Sequence, residues 1–232
     1  MMALPREGHL DQAYHLFAYL KTKHDAEMVF DPTEPNISES EFPREDWTHT
    51  VYSDAKEVIP VNLPEPRGFG FKIRAYVDAD HAGNLVTCRS RTGFIVFLNN
   101  AAPVYWLSKR QTGIETSSFG SEFMVMKHCC EYLKGLRFKL RSLGIPVDFP
   151  CYILGDNKSV LVNGSQPYSV LKKKSNSVAF HYVREGSSAD EWRLSYVNTD
   201  DNCADMLSKS LPGGRKRRKF TSMILHHIYD YD

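Results

Sequence analysis

FKIRAYVDADHAG, residues 71–83, decides how this chain is read. Phe71, Ile73, Ala75 and Val77 fall on one parity, and Lys72, Arg74, Tyr76 and Asp78 on the other. That period of two predicts a strand. The strand runs into Asp78 and Asp80, then His81-Ala82-Gly83. Two carboxylates two residues apart leave an extended chain on the same side. Buried like charges are costly unless a cation or hydrogen bonds offset them. Two readings therefore stand side by side: a strand end that holds a metal, or a polar strand end with turn-forming Asp and Gly.

Outward from this strand, residues 84–91 are a polar turn and TGFIVFL (92–98) is a second strand, rich in β-branched and aromatic residues. Asn99-Asn100 is a turn, and APVYWLS (102–108) is a third strand. Short turns between three strands predict an antiparallel meander. Residues 116–143 carry Phe119, Phe123, Met126, Cys130, Leu133, Leu136 and Leu140 at helical spacing, and Gly144 stops the helix. Glu122 lies one turn into it. CYIL (151–154) has the apolar character of a buried strand and ends at Gly155-Asp156-Asn157, with a helix from Lys158. A second strand thus delivers an Asp at its carboxyl end, where α/β sheets hold ligands. Residues 175–185 predict a helix, 191–197 a strand, and 200–210 a final helix capped by Asp200 or Asp201 with Asp205 inside. The order βββ-α-β-α-α-β-α is an α/β fold. Trp106 and Trp192, both in strands, are expected in the core.

Upstream, residues 10–24 read as an amphipathic helix, 25–41 as an acidic connector and 47–66 as a Pro-containing extended lead-in. The expected organisation is 1–65 as an upstream remnant and connector, 66–212 as the α/β domain and 213–232 as a basic tail. The formal net charge is +1, so no global excess demands a nucleic acid; the basic clusters 172–174 and 215–219 are local. Five cysteines without a CxxC pair predict reduced thiols inside a cell. No apolar run approaches the ~20 residues of a membrane span, so no membrane partner is expected. The first residues lack the apolar core of a signal peptide. His128-Cys129-Cys130 makes a poor zinc site, since adjacent helix residues face different ways.

This order, with these acids on it, resembles ribonuclease H, and more closely the ribonuclease H domain of copia-type retrotransposon polyproteins. The residues that carry the resemblance are YVDADHAG (76–83), SRTGFIVFL (90–98), VYWLSKRQ (104–111), ETSSFGSEF (115–123), LGDNKSV (154–160), KKKSNSVAFHYVRE (172–185) and ADMLSKSLP (204–212). Residues 1–65, with PREGHLDQAYHLFAYLK, resemble the end of the reverse transcriptase that precedes this domain in such polyproteins. No YxDD polymerase motif is present.

The resemblance implies a five-stranded mixed sheet, three antiparallel strands followed by parallel ones, with helices on both faces. It implies a Mg2+-dependent endonuclease that cuts the RNA strand of RNA–DNA hybrids during reverse transcription. Its site would be Asp78, Glu122, Asp156 and Asp205 around a pair of Mg2+ ions, with Mn2+ as a substitute. Asp78 would lie between both ions, Glu122 and Asp156 would complete one shell, and Asp205 would serve the other. Asp80 competes with Asp78, and Asp200 and Asp201 with Asp205. Glu122 has no close rival, because the family's earlier Glu is Gly120 here. The donor type fits, since Mg2+ is hard and prefers oxygen. Two ions about 4 Å apart can activate water and stabilise a leaving 3′ oxygen.

Substrate contacts are expected from Asn157, Lys158 and Ser159, from Ser117 and Ser118, and from residues 89–91, Arg91 among them, reading hybrid shape and 2′-hydroxyls. Other expected partners are the reverse transcriptase portion of the same polyprotein and an intracellular setting, a retrotransposon particle or the nucleus. Residues 197–202 lack the loop histidine that helps product leave cellular ribonucleases H, which predicts slower turnover; His81 and His181 are expected to be packing or surface residues. The basic helical protrusion of some cellular enzymes is also missing, and residues 172–174 are the expected phosphate contacts instead. The other reading is a catalytically silent scaffold or nucleic-acid-binding module of a reverse transcriptase.

Overall fold

The computed structural model describes residues 6–84, 86–101, 103–171 and 174–227. Lys172 and Lys173 lie outside the described residues. The chain opens with α1 (Glu7–Thr22) and the two-residue strand β1 (Ala26–Glu27). The expected helix is present, but none of its residues is buried. An irregular segment then leads to β2 (Ile73–Asp80), β3 (Arg91–Leu98) and β4 (Pro103–Arg110), the predicted meander. After α2 (Ser118–Ser142) come β5 (Cys151–Gly155), α3 (Lys158–Ser165), α4 (Ser177–Ser188) and β6 (Trp192–Tyr196). β5 pairs parallel to β2, and β6 parallel to β5, giving the order β4-β3-β2-β5-β6. The short α5 (Asp205–Ser208) and α6 (Arg215–Ser222) follow, and β7 (His226–His227) pairs antiparallel with β1.

The alternation of β2 separates two cores. Ile73, Ala75, Val77 and Ala79 pack with Phe123, Met126 and Leu133 of α2 and with Phe180 and Val183 of α4. Tyr76 points the other way, to Ile95, Phe97, Cys203, Ala204 and Phe220. Burying such apolar side chains is the main favourable contribution to folding, at about 25 cal/mol per Å². α2 starts where Ser117 caps it, its hydroxyl accepting from Gly120 N–H at 3.2 Å, and ends where Gly144 takes φ +73°. That left-handed conformation favours glycine.

Three expectations are corrected. The basic run 215–219 is not a tail: it forms α6, anchored by the fully buried Phe220. Nor is the rest of the expected tail 213–232 loose throughout, since His226-His227 pairs with β1. Trp192 is buried as expected and donates its indole N–H to Val183 C=O at 2.9 Å. Trp106, however, is 52% exposed. It sits on the edge strand β4, whose residues alternate between cover and solvent.

Part of the expected connector is docked on the sheet domain. Phe42 and Trp47 are buried. The Arg184 guanidinium lies 4.8 Å from the Trp47 ring centroid and donates to the carbonyls of Asn163, Gln166 and Pro167. Glu57 accepts paired bonds from Arg137 and Arg141 of α2, at 2.5–2.8 Å.

Candidate metal centre

The register of the sheet brings the strand-borne acids together. β2 and β5 run side by side, with Val77 opposite Gly155. Asp78 and Asp156 are the next residues along, so both leave the sheet at the same edge. Glu122 arrives from α2, one turn in from its start. A carboxylate oxygen from each of Asp78, Glu122 and Asp156 lies within 4.8 Å of the other two. Asp78 is fully buried.

Placement separates Asp78 and Asp156 from their sequence neighbours. Asp80 lies over the turn at Gly83, its carboxylate close to where a Cβ there would sit. Among the described residues it does not join the cluster. Asn157, not Asp156, caps α3, with its side-chain oxygen accepting from Val160 N–H at 3.3 Å. Asp156 instead accepts from Thr199 Oγ1 at 2.8 Å.

Asp205 is near but differently engaged. It is the first residue of α5 rather than an interior one, and Ala204 holds the cap position. One oxygen accepts from Lys209 Nζ at 2.6 Å and the other from Lys216 Nζ at 2.5 Å. Lys209 also donates to Asp78 Oδ1 at 2.9 Å, and Ser208 Oγ donates to Asp78 Oδ2. Asp205 is buried, whereas Asp200 is 87% exposed against Lys216 and Asp201 is half-exposed against Lys219.

Charge follows this geometry. Burial pushes the Asp78 carboxyl up to about 6, against the pull of Ser208 and Lys209. Burial, then the charges of Asp78 and Asp156, push Glu122 up to about 9. Burial would raise Asp205 as well, but Lys209 and Lys216 outweigh it and hold that acid below its ordinary value. Crowded oxygens that resist ionisation are the donor set a hard divalent cation satisfies, because the ion supplies the missing positive charge. The three residues therefore fit such a cation.

The expected substrate contacts ring this edge. Ser118 opens α2, and Lys158 and Ser159 open α3, all three exposed. Lys158 Nζ lies 4.7 Å from the Tyr196 ring centroid. Arg91 is exposed at the start of β3, opposite Asp80. His81 is exposed and its Nδ1 is 2.8 Å from Ser121 Oγ, beside Glu122. His181 meets Tyr52 Oη at 2.6 Å. Sequence reasoning missed Ser208, Lys209, Lys216 and Thr199. Only Lys209 left a signal, four residues after Asp205 on one helix face.

The chain is 30% identical over 145 residues to the retrovirus-related Pol polyprotein from transposon RE2 of Arabidopsis thaliana, a match covering 62% of this chain and 10% of that protein. It is 26% identical over 149 residues to that from transposon TNT 1-94 of Nicotiana tabacum, covering 64% and 11%. Over these residues the chain is thus similar to a stretch of retrotransposon Pol polyproteins. It spans about a tenth of the length of the curated relatives it matches. No family model matches it.

Among solved structures it is similar to LC11-RNase H1, isolated from compost by a metagenomic approach. There the TM-score is 0.48 at 18% identity, covering 59% of this chain and 92% of that one. The foamy viral protease-reverse transcriptase in complex with RNA/DNA hybrid gives a TM-score of 0.39 at 13% identity, covering 70% and 23%. Among the described residues, no helix is long and apolar enough to cross a membrane.

Proposed function

We propose that this domain is a ribonuclease H-type endonuclease that cuts the RNA strand of an RNA–DNA hybrid during reverse transcription, with divalent cations held by its acidic cluster. The observation that carries this reading is the convergence of Asp78, Glu122 and Asp156 within 4.8 Å. The kinship with Pol polyproteins supports it. Mg2+, or Mn2+ in its place, supplies a water of lowered pKa and charge stabilisation at the leaving oxygen. In the two-ion form expected from the resemblance, Asp78 and Asp205 would hold the second ion.

The chain's own residues do the rest. Ser208 and Lys209 fix the Asp78 carboxylate from one side. Thr199 orients Asp156. Ser118, Asn157, Lys158, Ser159 and Arg91 stand around the acids, where they would take up phosphates and 2′-hydroxyls. Binding through phosphates makes affinity salt-dependent. The reverse transcriptase part of the same polyprotein would be its partner, in an intracellular setting.

The test is a labelled hybrid mixed with the protein and Mg2+. Cleavage of the RNA strand that is lost in Asp78→Asn and Asp156→Asn supports the reading. Binding without cleavage would make the domain a silent nucleic-acid-binding module instead.

A further inference from the structure

Lys209 has a role that the acid cluster alone does not reveal. Its ammonium donates to Asp78 Oδ1 at 2.9 Å and to Asp205 Oδ1 at 2.6 Å. It thus stands between the two acids that a second cation would have to share. Both acids are buried, and Lys216 takes the remaining oxygen of Asp205. Two buried carboxylates facing each other need a positive charge, and here the chain carries it. By contrast, Glu122 and Asp156 bring carboxylate oxygens close to Asp78.

The placement of Lys209 is built into the packing. Gly93 lies opposite Asp78 on β3, and a Cβ there would meet Ala204 O and Ser208 N at 2.9 Å. The absent side chain lets α5 close onto the sheet, which sets Ser208 and Lys209 against Asp78. The helical spacing of four residues then aligns Lys209 with Asp205. A divalent ion entering between Asp78 and Asp205 would meet an ammonium already bonded to both.

We propose that Lys209 is a built-in cation at the second position: the free protein takes up one divalent ion, at Asp78, Glu122 and Asp156, and Lys209 serves as the positioning charge between Asp78 and Asp205. This inference rests on the cation-binding reading above and adds the number of ions and the residue that sets it.

The experiment counts Mn2+ bound to the whole chain, by electron paramagnetic resonance of free Mn2+ and by calorimetry, without substrate. The parent should bind one ion per chain. Lys209→Met, which removes the charge but keeps the length, should bind two. Lys209→Arg, which keeps the charge, should stay at one. Adding Asp205→Asn to Lys209→Met should return the count to one. If Lys209→Met does not fold, Lys209→Gln, neutral but able to donate hydrogen bonds, takes its place, and the same counts decide. A parent that binds two ions, or a neutral variant that binds only one, overturns the inference and leaves the cation site standing. A parent that binds none removes the cation site and the inference together.

Discussion

Glu57 and Glu122 are both removed from solvent to a large degree, and both point at α2 or belong to it, yet they end in opposite states. Arg137 and Arg141 surround Glu57 with four hydrogen bonds and, against the cost of burial, hold it at about 2. Burial and two neighbouring carboxylates push Glu122 up to about 9. One acid is complete within the chain; the other is left short of positive charge. A buried acid that serves the fold arrives with its cation, whereas one that serves a ligand has the cation's place kept open. Asp205 stands between these extremes, paired with lysines but adjacent to the open cluster.

Breaking the comparison by mutation should give its largest effect in cleavage. Glu122→Gln should lower hybrid cleavage by between about a hundred- and a thousandfold, the scale of losing one preorganised electrostatic group. Glu57→Gln should leave cleavage per folded molecule unchanged. In denaturant titrations the order reverses. Glu57→Gln should cost on the order of 3 kcal/mol, because two guanidinium groups lose their partner, while Glu122→Gln should leave the metal-free protein at pH 8 as stable as the parent or more so. Gly93→Ala comes next. Its Cβ would force α5 off the sheet at a cost of about 1–3 kcal/mol, with hybrid cleavage falling alongside stability while the Glu57 clamp stays intact.

The pH dependence is spread over several units, so its slope is gentle, at most about 1.4 kcal/mol per pH unit for each group. Glu122 has a folded value of about 9 above its ordinary 4.5, so the folded state holds an extra proton between them. Its contribution is full below pH 4.5 and is lost as pH rises toward 9. Glu57 has a folded value of about 2 below the same 4.5, so its contribution is present above 4.5 and is lost as pH falls toward 2. Thermal unfolding across pH should show both slopes in metal-free protein. Saturating Mn2+ should flatten the alkaline one and leave the acid one untouched.

The strands and the acids on them were legible because each wrote a local pattern. Period-two alternation in 71–83 announced β2, and the run CYIL followed by Gly-Asp announced β5. With the motif order of the resemblance, those two strands carried Asp78 and Asp156 to one edge. Glu122 was legible only through its motif, since one Glu on a helix has no distinctive spacing. What stayed hidden depends on contacts between distant segments. A run of five basic residues reads as solvated, and only the burial of Phe220 against the second face of the sheet turns it into α6. The same holds for Glu57, whose partners lie 80 and 84 residues away. Trp106 misled because a strand pattern does not say which strand is the edge.

Anomalous scattering from crystals grown with Mn2+ tests the central claim most directly. The account predicts a peak bound by the carboxylates of Asp78, Glu122 and Asp156. Crystals in saturating Mn2+ with no peak between those three side chains, or with the ion held instead at Asp80 or at Asp200 and Asp201, would contradict it.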